Sequence, residues 1–163
     1  MPEVPDAPRP GFVARGGLWV LAQIPVLAGA ALVPWWLRGG RPDSADSLVG
    51  LGGLLVLAGI TMSVLGLVQL GDALTPYPHP RDGAHLRRDG VYRHVRHPIY
   101  AGLMFASLGW ALAWSSAVGM VYVVAVVVFF DRKAVREERW LGERYADYAA
   151  YRQHTRKFLP GIY

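Results

Sequence analysis

The chain has 163 residues, 53% of them hydrophobic and 18% charged, with no cysteine and a formal net charge of +5. The missing cysteine excludes disulfides, thiolate metal sites and cysteine nucleophiles. A mean hydropathy of +0.23 is too apolar for an ordinary soluble domain of this size, and a pI near 9.8 raises nucleic acid or a membrane as partner.

Met1 to Gly17 is Pro-rich and polar, and residues 1–17 are expected to form a loose tail with a short interfacial piece. Residues 18–70 then hold two long apolar runs. Leu18 to Leu37 is interrupted only by Gln23, Pro25 and Pro34, and Leu48 to Leu70 carries only Thr61, Ser63 and Gln69 as polar side chains. Each is long enough, at 1.5 Å per residue, to cross a hydrocarbon core of ~30 Å. Ala28-Gly29-Ala30 resembles a cleavage site, but the apolar run continues past it to Leu37, which predicts a retained helix.

Gly52, Gly59 and Gly66 recur every seven residues, and Gly102, Ala106, Gly109 and Ala113 mark a similar stripe further on. Small residues in register predict close helix packing where hydrophobicity alone gives no drive between helices. Gly50-Leu51-Gly52-Gly53 opens an apolar span and follows no strand, so it is no dinucleotide fingerprint.

Residues 71–97 form a loop too long for a plain hairpin connection. Thr75 to Pro80 reads as extended and stiff, while Asp82-Gly83 and Asp89-Gly90 read as turns. Four of the five histidines lie here (His79, His85, His94, His97), with Asp72, Asp82 and Asp89 as the available carboxylates. That spacing fits no familiar zinc pattern, and no metal is expected.

The loop ends in Gly90-Val91-Tyr92-Arg93-His94-Val95-Arg96-His97-Pro98-Ile99-Tyr100-Ala101-Gly102, where charge and aromatic rings pass straight into an apolar run. Pro98 suits the first turn of a helix, because its φ is fixed and its missing N–H costs nothing there. Arg96 and His97 then sit just before a helix N-terminus, where free N–H groups favour an anion. Tyr100 and Gly102 fall on the first turn. This cluster is the candidate ligand site.

Residues 98–163 are expected to form a helical hairpin and a C-terminal segment. Ile99 to Trp114 and Ala117 to Phe130 are apolar runs joined by Ser115-Ser116. After Phe130 the chain becomes charged, and helical spacing pairs Lys133 with Glu137. Glu137 and Glu138 leave the apolar run on the same side as Arg96 and His97. Tyr145, Tyr148 and Tyr151, with Trp140 and Leu141, suggest an amphipathic helix that lies at an interface or roofs a site and ends at Pro160.

Four spans put both termini on one side. The tail carries Arg9 and Arg15, the loop five arginines between Arg81 and Arg96, and the C-terminal segment eight basic residues between Arg132 and Lys157. Opposite them lie only Arg38 and Arg41, offset by Asp43 and Asp46. The positive-inside rule makes the richer side cytoplasmic, so the basic balance reports topology, and no nucleic acid is expected as partner. The expected fold is all-α: one domain, a polytopic membrane protein of about four transmembrane helices with a C-terminal amphipathic helix. A bacterial inner membrane is its expected location, with both termini and the site in the cytoplasm.

Arg96-His97-Pro98-Ile99-Tyr100-Ala101-Gly102, preceded by Gly90-Val91-Tyr92, resembles the Arg-His-Pro-x-Tyr-x-Gly signature of the isoprenylcysteine carboxyl methyltransferase and phospholipid methyltransferase family. Glu137-Glu138-x-x-Leu141, then Tyr148-x-x-Tyr151 and Phe158-Leu159-Pro160, resembles that family's C-terminal motif, so the likeness runs from about Thr75 to Pro160. One departure is that the family's aromatic-Gly pair appears as Tyr145-Ala146.

The resemblance implies an integral membrane methyltransferase that uses S-adenosylmethionine without a Rossmann-type domain. By analogy His97, Tyr100, Gly102, Glu137 and Glu138 surround the cofactor. Its carboxylate suits Arg96 and His97 at the helix start, and Tyr92, Tyr100 or Tyr148 offers a ring face to the sulfonium. Lys133 and Glu137 are the catalytic candidates, with Lys133 placed to hold an anionic acceptor. The acceptor is a lipophilic or lipidated molecule, or a membrane lipid, entering between the third and fourth spans. A carboxylate or thiolate needs no strong base, whereas an amine needs a neutral His or Glu to take its proton. An NADPH-dependent membrane reductase and a non-catalytic membrane module are the alternatives from other classes.

Overall fold

The structure is a computed structural model that describes residues 11–38, 45–80 and 83–163. Arg9, Arg41, Asp43, Arg81 and Asp82, which entered the charge and turn expectations, lie outside the described residues, as does the side chain of Asp46. The described chain is helical: α1 (Gly17–Trp36), α2 (Ala45–Leu70), α3 (Pro98–Ala113), α4 (Ala117–Arg144) and α5 (Tyr148–His154). Short 3-10 turns follow α2 and precede α3. Among the described residues the only β pairing is an isolated parallel bridge between Val95 and Arg156.

α2 and α3 run antiparallel along the two small-residue stripes. A Cβ built on Gly52 would lie 2.5 Å from the Gly109 carbonyl, and one on Gly59 would lie 2.4 Å from the Gly102 carbonyl. Further along, Gly66 faces Pro98 and Ile99. Backbone therefore meets backbone at the Gly52–Gly109 and Gly59–Gly102 crossings. The polar residues of α2 are used at its far end: Ser63 donates to the Ile99 carbonyl at 3.2 Å, and Gln69 accepts from the Val91 N–H at 2.7 Å.

α1 runs antiparallel to α4. Ser116 caps α4 by accepting from the Gly119 N–H at 3.0 Å, while its own hydroxyl donates to the Leu37 carbonyl at 2.9 Å. α1 continues unbroken through Ala28–Ala30, where the Tyr122 hydroxyl donates to the Pro25 and Val26 carbonyls at 3.3 Å. Ala30, Val126 and Phe130 form one buried cluster, and Ala101, Ala134 and Phe158 form another closer to the loop.

The starts of α1 and α3 and the ends of α2 and α4 thus share one end of the bundle with the loop. α1 and residues Leu48–Ala73 are long and apolar enough to cross a membrane, whereas α3 has 16 residues and only the first half of α4 is apolar. Leu21, Ile24, Leu54, Leu57, Val121 and Val124 are all more than half exposed, an apolar belt too broad for a soluble monomer and suited to lipid.

The C-terminal segment differs from the single helix expected to run to Pro160. α4 stops at Arg144, α5 spans only Tyr148–His154, and the chain is extended by Thr155. A nonlocal contact causes this: Arg156 and Lys157 are pulled beside the chain leading into α3, where their carbonyls accept from the Arg96 N–H at 2.8 Å and the His97 N–H at 3.1 Å.

Candidate active site

The loop reaches α3 through a tight turn. Gly90 has a φ of +55°, and a Cβ there would lie 2.2 Å from the Gln69 carboxamide, so only glycine lets the chain close against α2. Tyr92 follows, its hydroxyl donating to the Gly66 carbonyl at 3.2 Å and its own carbonyl accepting from the Tyr151 hydroxyl at 2.6 Å. Tyr92 is thereby fixed between α2 and α5.

Arg96 and His97 converge on one carboxylate. Glu138 Oε1 accepts from Arg96 Nε at 2.8 Å and lies 3.1 Å from His97 Nε2. The Arg96 guanidinium also donates to the carbonyls of Arg152, at 3.3 Å, and Thr155. Burial alone would raise the Glu138 carboxyl, but the His97 hydrogen bond and charge, and then those of Arg96, outweigh it and hold it down from 4.5 to about 2. The Arg96 and His97 backbone N–H groups are also taken, by the Arg156 and Lys157 carbonyls, so the two residues just before α3 are held by the protein itself.

Glu137 occupies the other side of His97. Its Oε2 accepts from the Tyr100 hydroxyl at 2.7 Å and lies 3.9 Å from His97 Nδ1. The His97 and Tyr100 rings stack with centroids 5.5 Å apart and planes within 4°. Lys133, 3% exposed, donates to Gln23 Oε1 from α1 and lies 5.2 Å from the centroid of the Tyr100 ring.

Two cavities meet at this cluster. An inner one of about 330 Å³ lies among the four long helices, with Gln23, Tyr100, Lys133 and Glu137 forming its polar wall and Val20, Leu67 and Leu103 part of its apolar one. A smaller one of about 80 Å³ lies under the loop, against Tyr145, Tyr148 and Tyr151. Tyr92, Arg96 and Glu137 line both. The Tyr148 hydroxyl is buried without a hydrogen-bond partner among the described residues. Burial first, then nearby carboxylates, raises the phenols of Tyr92 and Tyr148 above their usual range, so both are neutral donors. Tyr151 is raised to about 12, burial again leading.

The structure therefore brings together Tyr92, Arg96, His97, Tyr100, Lys133, Glu137, Glu138 and Tyr148. Gly102 stands apart. A Cβ there would lie 2.2 Å from the Ser63 hydroxyl and 2.3 Å from the Gly59 carbonyl, which assigns this glycine to the α2–α3 contact and turns it away from the cavities. The route between the third and fourth spans also differs from expectation. A groove of about 420 Å³ does lie between α3 and α4, but Lys133 and Glu137 do not line it. Fully buried Phe130 and Ala134 separate that groove from the cluster, and the cavity that touches the reactive side chains lies on the α1–α2 side.

Gln23 joins the site without having been singled out from sequence, and Tyr151, part of the expected roofing helix and of the C-terminal motif, joins it through its bond to Tyr92. Gln23 did carry a signal, as the lone carboxamide in an apolar run. Among the described residues no group of three or more histidine and acidic side chains is placed to hold a metal.

A family model described as phospholipid methyltransferase matches residues 48–148, well over half of the chain. Protein-S-isoprenylcysteine O-methyltransferase of Schizosaccharomyces pombe is 31% identical over 75 residues, a stretch that covers 45% of this chain and 31% of that relative. The chain thus spans less than a third of that relative's length. α1 lies before the matched residues, and Arg152 to Lys157 after the family match.

Proposed function

The chain belongs to the phospholipid methyltransferase family, which includes the isoprenylcysteine methyltransferases, and from that premise we propose an enzyme that methylates a lipophilic carboxylate at a membrane surface. The observation that carries this is the pair of cavities sharing Tyr92, Arg96 and Glu137 as a common wall. Such a wall lets a donor and an acceptor approach from opposite sides and meet in line, which is most of what methyl transfer asks of a protein.

In this scheme α1 to α4 all span the bilayer, and the basic end with the loop and α5 faces the cytoplasm. The cavity under the loop takes S-adenosylmethionine once the loop moves outward, since its present volume of about 80 Å³ is smaller than that molecule. Its residues fit that group: the orphaned Tyr148 hydroxyl offers a donor, the tyrosine rings suit adenine or a sulfonium, and Glu137 suits an ammonium or ribose hydroxyls. When bound, the cofactor supplies an electrophilic methyl group on sulfur.

The chain's own residues align and enclose. Glu138 fixes Arg96 and His97, so that the His97 ring holds Tyr100 and Tyr100 holds Glu137. Lys133 presents a buried ammonium to the inner cavity for an anionic acceptor. Glu137 in the same cavity favours a second reading, an amine acceptor such as a phospholipid head, whose proton it would take.

S-adenosylhomocysteine titrated onto the detergent-solubilised chain should bind, and Glu137→Ala should weaken that binding without unfolding the protein. Incubation with methyl-labelled cofactor and a lipid extract should label an ester in the apolar fraction. Absence of binding by the wild type would overturn the proposal, and labelled amine in place of ester would move it to the second reading.

A further inference from the structure

Gln23 is the one carboxamide in the apolar run of α1, a position where an unpaired polar group is expensive. Its oxygen accepts from Lys133 Nζ, which leaves the carboxamide NH2 as a donor on the same wall of the inner cavity. Across that wall Glu137 is already engaged by the Tyr100 hydroxyl at 2.7 Å. The α1 side of the cavity thus presents an ammonium beside an amide NH2, while Glu137 keeps acceptor capacity on the opposite side. The other α1 and α2 residues that line it, Val20, Leu67 and Leu70, are apolar. α1 also lies before residues 48–148, so this contact is supplied by a part of the chain that the family match does not reach.

From this we infer that Gln23 and Lys133 together form the acceptor-selecting site, gripping a carboxylate head between ammonium and amide while the apolar tail lies along α1 and α2. The inference deepens the proposed function and rests on its acceptor half. A planar carboxylate has two oxygens, one for each donor. An ester of the same molecule offers no charge to Lys133, and an ammonium head would be repelled by it. Gln23 thus does two things: it aims the Lys133 ammonium and contributes a direct hydrogen bond.

The test uses the purified 163-residue chain in detergent, saturated with S-adenosylhomocysteine. It is titrated with S-farnesyl-N-acetylcysteine, its methyl ester and farnesylamine. Wild type should bind the acid at least about tenfold more tightly than the ester, the loss expected for hydrogen bonds to a charged group. Gln23→Leu should remove about tenfold of the acid affinity and leave the ester unchanged, narrowing the ratio. Gln23→Glu should turn the preference toward farnesylamine. Gln23→Met, close in shape, replaces leucine if that variant fails to fold. An acid-to-ester ratio that is the same in wild type and the Gln23 variants would overturn the inference, because a residue that merely solvates Lys133 would change both probes alike. No preference for the acid, or no binding of any probe, would overturn it as well. Loss of S-adenosylhomocysteine binding by the wild type would instead overturn the donor half of the proposed function.

Discussion

Glu137 and Glu138 are sequence neighbours at the end of α4, yet they sit in opposite kinds of surroundings. Glu138 is 8% exposed and gathers Arg96, His97 and, at 3.7 Å, Arg152 onto one carboxylate. Glu137 has a side chain 27% exposed, accepts one hydrogen bond from Tyr100, and faces both cavities. A buried carboxylate held by two basic side chains on one oxygen ties segments together, and a more exposed one with a single hydrogen bond is available to a ligand. On this comparison Glu138 is the knot that joins α3, α4 and the C-terminal segment, while Glu137 is the working face.

The sharpest way to break that contrast is to remove each carboxylate in turn. Glu138→Ala leaves a buried guanidinium without its partner and should cost about 3–5 kcal/mol, read as a large drop in thermal unfolding temperature in detergent. Glu137→Ala should leave unfolding nearly unchanged. Equal losses in the two variants would dissolve the distinction.

Next in size is the α2–α3 contact. Gly102→Ala forces a methyl against the Gly59 carbonyl and Ser63, and should destabilise by about 1–3 kcal/mol. S-adenosylhomocysteine affinity should survive in whatever fraction remains folded, and a selective loss of binding would return Gly102 to the site.

Acid sharpens the same contrast. Since the Glu138 carboxyl is lowered from 4.5 to about 2, its contribution to stability is complete above about 4.5 and is lost as pH falls from there toward 2. Unfolding temperature followed over that range should fall steeply in the wild type and less steeply in Glu138→Gln.

Two smaller effects complete the series. Glu137→Gln keeps the shape but not the charge, and should weaken S-adenosylhomocysteine by about tenfold. Arg88 pairs with Asp147 at 2.6 Å with both side chains about half exposed, so Arg88→Ala should change stability by under about 1 kcal/mol.

The apolar runs were readable as helices because length and hydropathy are local properties, and α1, α2 and α3 begin or end within a few residues of the run boundaries. His97, Tyr100 and the glutamate pair were readable as a motif. What the sequence hid was nonlocal. The tyrosines at 145, 148 and 151 have helical spacing, but the bridge from Arg156 to Val95 demands an extended chain and ends the helix early. The same pairing takes the Arg96 and His97 N–H groups, and the Arg96 side chain turns inward to Glu138 and the Thr155 carbonyl. Gly102 belongs to the motif by position, but its missing side chain serves the contact with Gly59 and Ser63. Gln23 gains its meaning only from Lys133, on a helix far along the chain.

The glycine seam has a mechanical corollary. With backbones in contact at Gly52 and Gly59, α2 and α3 form a stiff blade whose sliding would meet steric clashes and whose parting would forfeit close packing. The inner cavity would then widen most readily by α1 swinging outward. Tethers on that swing include the Tyr122 hydroxyl at the Pro25 and Val26 carbonyls and the Lys133 bond to Gln23.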